Sequence, residues 1–248
     1  MATQITSHNQ YHTSGLDPTT LEPTPMRMFT RWFDELVAAG VHEPEAMTLS
    51  TTALPGERGV GAPRPSARVV LLKRASEDGF EFFTNYGSRK GRELEANPWC
   101  ALTFYWPALS RSVRVVGRAE RVPREASQAY FDTRPVGSRI GAWASPQSNV
   151  LASREELEQR LRATEERFGV RDANTAPADT RIPVPDHWGG YVVVPDEVEF
   201  WVGRENRLHD RFRYVARTTD TAHRRYTCDP NTTAPLRERA WTVERLAP

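Results

Sequence analysis

Apolar residues recur along this chain with two periods. In "PTPMRMFTRWFDELVAAG" the spacing is helical: Phe29, Trp32, Phe33, Leu36 and Val37 fall on one stripe. Thr24 and Pro25 supply the N-cap and first residue of that helix, and Gly40 its end. From Met47 the period shortens toward two. "MTLSTTA" and "SARVVLLKR" are rich in β-branched residues and flank the Pro/Gly loop "LPGERGVGAPRP", a pattern that predicts a long hairpin. "GFEFFTN" after the turn "SEDG" predicts a third strand, and "WCALTFYW" with "RSVRVVGRAERV" across "PALS" another hairpin. Between them "SRKGRELEANP" predicts a short helix closed by Asn97 and Pro98.

Two helical patches follow, "PREASQAYFDTR" and "SREELEQRLRATEERFG"; in the second, Ser153 and Glu156 have the spacing of a capping box. Residues 170–187 hold too many prolines and turn formers for regular structure and read as a surface loop. "GGYVVV" and "VEFWV" return to strand, and "RLHDRFRYVART" and "RAWTVERL" complete the sheet. "DPNTTAP" at 229–235 reads as an inserted turn, and the polar residues 1–23 as a mobile arm. The pattern predicts a mainly β (α+β) chain, an antiparallel meander closing into a small barrel with flanking short helices. No linker divides residues 24–248.

Charge changes this picture little. The 33 basic residues nearly cancel the 32 acidic ones, so a general polyanion binder is not expected, and any anion site must be built locally. Cys100 and Cys228 stand far apart, without the spacing of a zinc site or a disulfide framework, so no metal is expected and each reads as a filler. No apolar run precedes Arg27, the first basic side chain, and no stretch approaches the ~20 apolar residues of a membrane span. The expectation is a soluble cytoplasmic protein.

Candidate chemistry sits in short clusters; Rossmann, P-loop, zincin and hydrolase motifs are not found in the sequence. "RVVLLK", Arg68 to Lys73, reads by itself as a buried strand with charged ends. "TNYGSRKGREL" places Ser88, Arg89 and Lys90 at a helix start, where free N–H groups already favour an anion and added cations ask for one. "YFDTRPVGSRIGAWASPQS" reads as a helix-to-loop segment in which Tyr130, Arg134 and Ser138 could jointly hold a phosphate monoester, with Gln147 and Ser148 adding donors. "EFWVGRENRLHDR" crowds Arg204, Arg207, His209 and Arg211 behind an apolar start. Read as a strand, it turns Arg207, His209 and Arg211 to one face, which calls for something anionic or electron-rich against them.

These blocks, with "HWGGYVVVPDEVEFW", "RLHDRF" and the final "ERLAP", resemble the pyridoxamine 5′-phosphate oxidase family in order over nearly the whole chain after residue 25. The resemblance implies an antiparallel split β-barrel that forms a homodimer with FMN at the subunit interface, residues 188–248 carrying dimerisation and active-site segments. It implies that Arg68, Val69, Val70, Leu71, Leu72, Lys73, Phe83, Thr84, Arg89, Lys90, Gln147, Ser148, Trp201 and Arg211 bind FMN. The substrate phosphate would fall to Lys73, Tyr130, Arg134 and Ser138, and Arg207, Leu208 and His209 would lie against a pyridine ring. Arg207 and His209 would act in catalysis. The implied reaction converts pyridoxamine or pyridoxine 5′-phosphate to pyridoxal 5′-phosphate, with a hydride passing from C4′ to flavin N5 and dioxygen returning hydrogen peroxide.

The chain departs from the family pattern in places. Ser112 stands where the family has Gln beside the flavin, and is too short for the same contact. Glu43 takes the place of the acidic residue before the first strand, and His8 that of an N-terminal Arg, with Tyr11 retained. Loops 54–65, 170–187 and 229–235 are long. Two further readings stay open: a sibling flavin oxidase acting on another substrate, such as a reduced phenazine precursor, and a flavin-binding protein without catalysis.

Overall fold

The aromatic stripe of the first helix and the alternating strands meet in one core. In the computed structural model, which describes residues 10–53, 61–172, 175–217 and 240–248, helix α1 spans Pro25–Ala38. The Thr24 hydroxyl caps it by accepting from Arg27 N–H, and Gly40 ends it with a left-handed φ of 68° that a side chain would resist. Phe29 and Trp32 drive into the sheet, Phe29 edge-on to Phe80 at 4.9 Å and Trp32 edge-on to Phe200 at 5.1 Å. Burying such a ring contributes about 1.5–3 kcal/mol. Met26 and Met28 are buried with them, while Val37, expected on the stripe, is 57% exposed.

The strands are β1 (Ala46–Ala53), β2 (Arg64–Leu71), β3 (Arg74–Ser76), β4 (Gly79–Asn85), β5 (Trp99–Trp106), β6 (Arg111–Arg121), β7 (Trp188–Val202), β8 (Asp210–Ala216) and β9 (Trp241–Arg245). They pair antiparallel in the order β2-β1-β5-β6-β7-β4-β3, with β8 joining β7 and β9 joining β8. "GGYVVV" and "VEFWV", read as separate strands, are one. β7 pairs along one edge with β6; on its other edge its first half takes β4 and its second half β8. That division splits the barrel. The changeover falls near Pro195, which has no N–H to give a ladder. Opposite it β6 bulges at Val116/Gly117, and a side chain at 117 would run into Val194 O at 2.2 Å.

Helix α2 (Arg89–Ala96) starts at Ser88 and stops at Asn97, as the sequence predicts. Helix α3 (Arg124–Asp132) is followed by α4 (Val136–Ala144), where the sequence reading had a loop. Pro135 disfavours helix at Arg134 and separates the two, yet Val136, Ile140 and Ala144 recur every four residues and are buried. Helix α5 (Arg154–Arg167) opens at Ser153, whose hydroxyl accepts from Glu156 N–H; the return bond of the capping box goes to Ala152 N–H at 2.9 Å. The 170–187 segment is irregular but not merely superficial: Val170, Ile182 and Val184 join Phe131, Val136, Ile140 and Trp188 in a second, smaller core.

Three further expectations give way. β2 is no buried strand but an edge, with Val69 68% exposed. Residues 10–23, read as part of a mobile arm, are tied down: Leu16 N–H donates to Asp210 Oδ2 at 3.0 Å, Thr13 Oγ1 to Gly203 O at 2.6 Å, and Tyr214 OH to Glu22 O at 2.8 Å. Arg207 and His209 precede β8 rather than alternate within it. His8, Cys228, the "DPNTTAP" turn and residues 54–60 lie outside the described residues. Among the described residues no helix is long and apolar enough to cross a membrane.

Candidate functional site

The expected site residues gather in two groups. The first is organised by α2, which bridges β2 and β4. Glu93 on α2 is fully buried; its Oε2 accepts from Arg68 Nη2 at 2.9 Å and Thr51 Oγ1 at 2.5 Å, and its Oε1 from Arg89 Nε at 2.8 Å. Burial would raise the Glu93 carboxyl, but the bonds from Thr51, Arg89 and Arg68 outweigh it and hold the group below the usual carboxylate range. Arg68 is fixed further by Leu49 O, Thr51 Oγ1 and Ser66 Oγ. One turn along, Lys90 Nζ donates to Thr84 Oγ1 at 3.2 Å and Gln147 Oε1 at 3.1 Å. Burial lowers the Lys90 ammonium from its ordinary range; Arg68 adds to this and Glu93 opposes it. Among the described residues the Arg89 side chain bonds only to Glu93, and it stays 41% exposed, its outer edge open.

Beside this cluster Phe83 stacks on Tyr130 at 4.0 Å and on Trp188 at 5.5 Å. The Arg134 guanidinium lies over Trp188 at 4.8 Å and Phe131 at 5.5 Å. Its Nη1 is buried without a hydrogen-bond partner among the described residues, and burial lowers the guanidinium while Tyr130 opposes the shift. A buried cationic donor left unpaired is costly, so this atom is suited to a ligand oxygen. Ser138, on the first turn of α4, and Ser148, held at a left-handed φ of 71°, are exposed. Leu72 is buried, Val70 half-buried, and Leu71 and Lys73 exposed at the end of β2.

The second group lines a cleft of about 450 Å³ between Tyr11, Tyr105, Ser112, Arg114, Trp201 and Arg211. Arg211 Nε donates to Glu199 Oε1 at 2.7 Å and Arg114 Nη2 to Glu199 Oε2 at 2.8 Å. Ser112 Oγ donates to Phe104 O at 2.9 Å. His209 packs on Trp201 at 4.8 Å and meets Tyr11 edge-on at 5.6 Å. His209 Nδ1 accepts from Arg204 N–H at 3.0 Å, so a neutral ring carries its proton on Nε2. Arg207 and Leu208 are exposed, in and just after a short 3-10 turn, Glu205–Arg207.

Along β7 one member of each group stands near an opposite end of the strand. Thr84 pairs with Gly189 and Arg211 with Trp201, positions twelve residues apart on β7. At ~3.3 Å per residue that is about 40 Å of strand path.

Glu93, Glu199, Asp210, Arg114 and Thr51 escaped the sequence reading. For two of them a signal existed: Glu93 follows Arg89 at helical i,i+4 spacing, and Glu199 shares a strand face with Trp201. Cys100 is buried, its thiol pushed up to about 12 by that burial, which suits a core filler and not a nucleophile.

Comparison with known proteins bears on both groups. Residues 33–168 match the family described as pyridoxamine 5′-phosphate oxidase, and residues 188–248 the pyridoxine 5′-phosphate oxidase C-terminal dimerisation region. The chain is 48% identical over 238 residues to the pyridoxine/pyridoxamine 5′-phosphate oxidase of Burkholderia multivorans, covering 96% of this chain and 95% of that one. It is 53% identical over 206 residues to that of Rubrobacter xylanophilus, covering 83% and 88%. Among solved structures it resembles PhzG from Burkholderia lata, determined with tetrahydrophenazine-1-carboxylic acid, at a TM-score of 0.75 and 26% identity over 95% of this chain and 98% of that one. An FMN-binding protein of Nostoc punctiforme shares the fold at a TM-score of 0.61 and 16% identity, over 92% of this chain and all of that one.

Proposed function

The chain belongs to the pyridoxamine 5′-phosphate oxidase family, and on that premise we propose that it oxidises pyridoxamine and pyridoxine 5′-phosphates to pyridoxal 5′-phosphate, with FMN as cofactor and dioxygen as final acceptor. The residues present fit a phosphorylated flavin. Three cations, Arg68, Arg89 and Lys90, surround the single buried carboxylate of Glu93, leaving a local excess of positive charge with the open edge of Arg89 beside it. Arg68, Arg89 and Lys90 would hold the FMN phosphate, with Thr84, Gln147 and Ser148 as neighbours and Phe83 and residues 69–73 along the flank. Trp201 and Arg211 would hold FMN from the second group. The match of residues 188–248 to a C-terminal dimerisation region supports a homodimer as the active form, one FMN gripped by the first group of one chain and the second group of its partner.

The observation that carries the substrate is Arg134 Nη1, a buried donor without a hydrogen-bond partner among the described residues, on a guanidinium that lies over Trp188. A phosphate monoester oxygen satisfies it, with Tyr130, Ser138 and Lys73 completing the set. FMN, when bound, supplies the hydride acceptor for the substrate C4′ hydrogen and the centre that dioxygen reoxidises. The protein's share is position and charge. Arg207 and His209, with Leu208 between them, would bear on the pyridine ring and orient it; the Nε2–H of His209 is a donor, and the Arg207 guanidinium is a second, cationic one. Tyr11 packs against His209 and Trp201 and keeps water from that wall.

A sibling oxidase acting on a reduced phenazine precursor is the second reading, favoured by the likeness to PhzG. One experiment separates them. Under nitrogen, pyridoxine 5′-phosphate should bleach the yellow FMN-loaded protein, whereas pyridoxine and tetrahydrophenazine-1-carboxylic acid should not. Bleaching by the phenazine alone overturns the proposal. Colourless protein that takes up no FMN removes both readings.

A further inference from the structure

We propose that Glu93 is a positioning residue for the FMN phosphate: it never touches the cofactor, but aims the guanidinium groups of Arg68 and Arg89 at it. The inference rests on the phosphate-holding role proposed above for those two arginines. Its ground is geometry. Arg68 comes from edge strand β2 and Arg89 from the first residue of α2, so nothing in either element alone fixes their relative placement. Glu93 does so by giving one oxygen to each: Oε2 takes Arg68 Nη2 at 2.9 Å and Oε1 takes Arg89 Nε at 2.8 Å. Thr51 on β1 locks the arrangement from behind, donating to Glu93 Oε2 at 2.5 Å and accepting from Arg68 Nη1 at 2.6 Å. The carboxylate is fully buried while Arg89 is 41% exposed, so the anion stands behind the guanidinium and the free edge faces outward.

Energetics favour orientation over simple stabilisation. A buried ion pair seldom outperforms apolar packing of the same shape, because desolvating the charges offsets their attraction. A carboxylate also weakens the pull of its arginines on another anion. Placing one here is self-defeating unless fixed direction matters more than charge. Arg89 without Glu93 is a flexible side chain at a helix N-terminus, where the dipole repels it and its rotamers must be ordered on binding.

A positioning carboxylate and a mere counter-charge respond in opposite ways to one substitution. Glu93→Gln removes a negative charge and makes the cluster more cationic. If Glu93 were only a counter-charge, FMN would bind tighter. If it positions, FMN should bind at least ~10-fold more weakly. The measurement is quenching of flavin fluorescence on titrating the full-length apoprotein, run in parallel with FMN and with riboflavin, which lacks the phosphate. The expected result is a loss confined to FMN. An unchanged or tighter FMN affinity, or an equal loss for FMN and riboflavin, overturns the inference. Thr51→Val, which leaves every charge in place, gives a second route should Glu93→Gln not fold; it should weaken FMN selectively, and wild-type affinity there also overturns the inference. Arg68→Ala and Arg89→Ala separate this failure from that of the parent reading. If both bind FMN normally, the phosphate assignment itself is wrong; if both weaken it while Glu93→Gln and Thr51→Val do not, only the role of Glu93 falls.

Discussion

Arg211 and Glu199 form the shortest link between β8 and the floor of the cleft: Arg211 Nε donates to Glu199 Oε1 at 2.7 Å, and Arg114 takes the other oxygen at 2.8 Å. The cationic wall thus contains its own buried anion. Replacing Glu199 by Gln leaves Arg211 and Arg114 facing each other across an amide that can accept from one. Unfolding free energy should fall by about 1.5–3 kcal/mol, the range for hydrogen bonds to charged groups. Urea denaturation of the apoprotein checks this, and an unchanged midpoint would mean that the pair does not form in solution.

Acid should act through the same carboxylates. Burial raises the groups of Glu93, Glu199 and Asp210, but their hydrogen bonds and charged partners outweigh it, and all three sit below their ordinary values. Folded values below unfolded ones mean that the unfolded chain binds more protons over that window. Their contribution is therefore complete above the ordinary carboxylate range, ~3.9–4.3, and is lost as pH falls through the depressed folded values. Urea midpoints should not change on account of these groups from pH 7 to about 5, then fall in acid. Glu199→Gln should flatten that acid limb, and an identical limb in the variant would argue against the pairing.

Arg134 offers a test in which stability and binding move apart. Its Nη1 is buried without a partner among the described residues, so Arg134→Met removes an unsatisfied donor and keeps much of the packing on Trp188. Apoprotein stability should hold or rise. With FMN loaded, so that the cations around Glu93 are already engaged, millimolar inorganic phosphate should raise the wild-type melting temperature and leave the variant unmoved. KM for pyridoxine 5′-phosphate should rise about 10- to 150-fold, matching a lost charged hydrogen bond of ~1.5–3 kcal/mol. Equal stabilisation of both proteins by phosphate would count against the assignment.

Much of this was legible in the residue pattern, because strands and helices announce themselves by period and caps. Thr24, Ser88 and Ser153 cap the helices they were read to cap. α4 was hidden because Gly137, Gly141 and a preceding proline mask its four-residue apolar spacing. β7 was cut in two by Pro195, since a sequence cannot show that the strand changes partners there. The alternation proposed for Arg207, His209 and Arg211 failed for a local reason: Asn206 and Arg207 adopt left-handed backbone, which breaks the strand before β8 begins. The family blocks pointed to the cations of both groups. The buried anions behind them, Glu93 and Glu199, were not read, because a carboxylate's burial depends on which distant arginines converge on it.

Edge strand β2 carries Ala67, Val69 and Leu71 exposed on one face, an apolar row that natural edges ordinarily avoid unless it is covered. If a second copy covers it, Val69→Glu should shift the protein from dimer to monomer and lower FMN retention with it. Sedimentation or light scattering reads the first effect and the 450 nm absorbance the second. A dimer that persists with full FMN would place the interface elsewhere.

At Arg207 the backbone separates a catalytic loss from a structural one. It sits at φ 63°, next to Asn206 at φ 55°. Left-handed backbone costs a side-chain-bearing residue about 1–2 kcal/mol, and Leu bears that cost as Arg does. Arg207 is exposed, and among the described residues its side chain makes no hydrogen bond or ion pair. Arg207→Leu should therefore leave stability nearly unchanged, and FMN content with it, since Arg211 and not Arg207 is the residue proposed to hold the flavin. Turnover should fall at least ~30-fold, as expected when one charged interaction of ~2 kcal/mol is lost from the reacting complex. Steady-state rates with pyridoxine 5′-phosphate, normalised to bound FMN, make the comparison. Normal turnover per flavin would remove Arg207 from the chemistry, and FMN loss in step with turnover would move it to the cofactor.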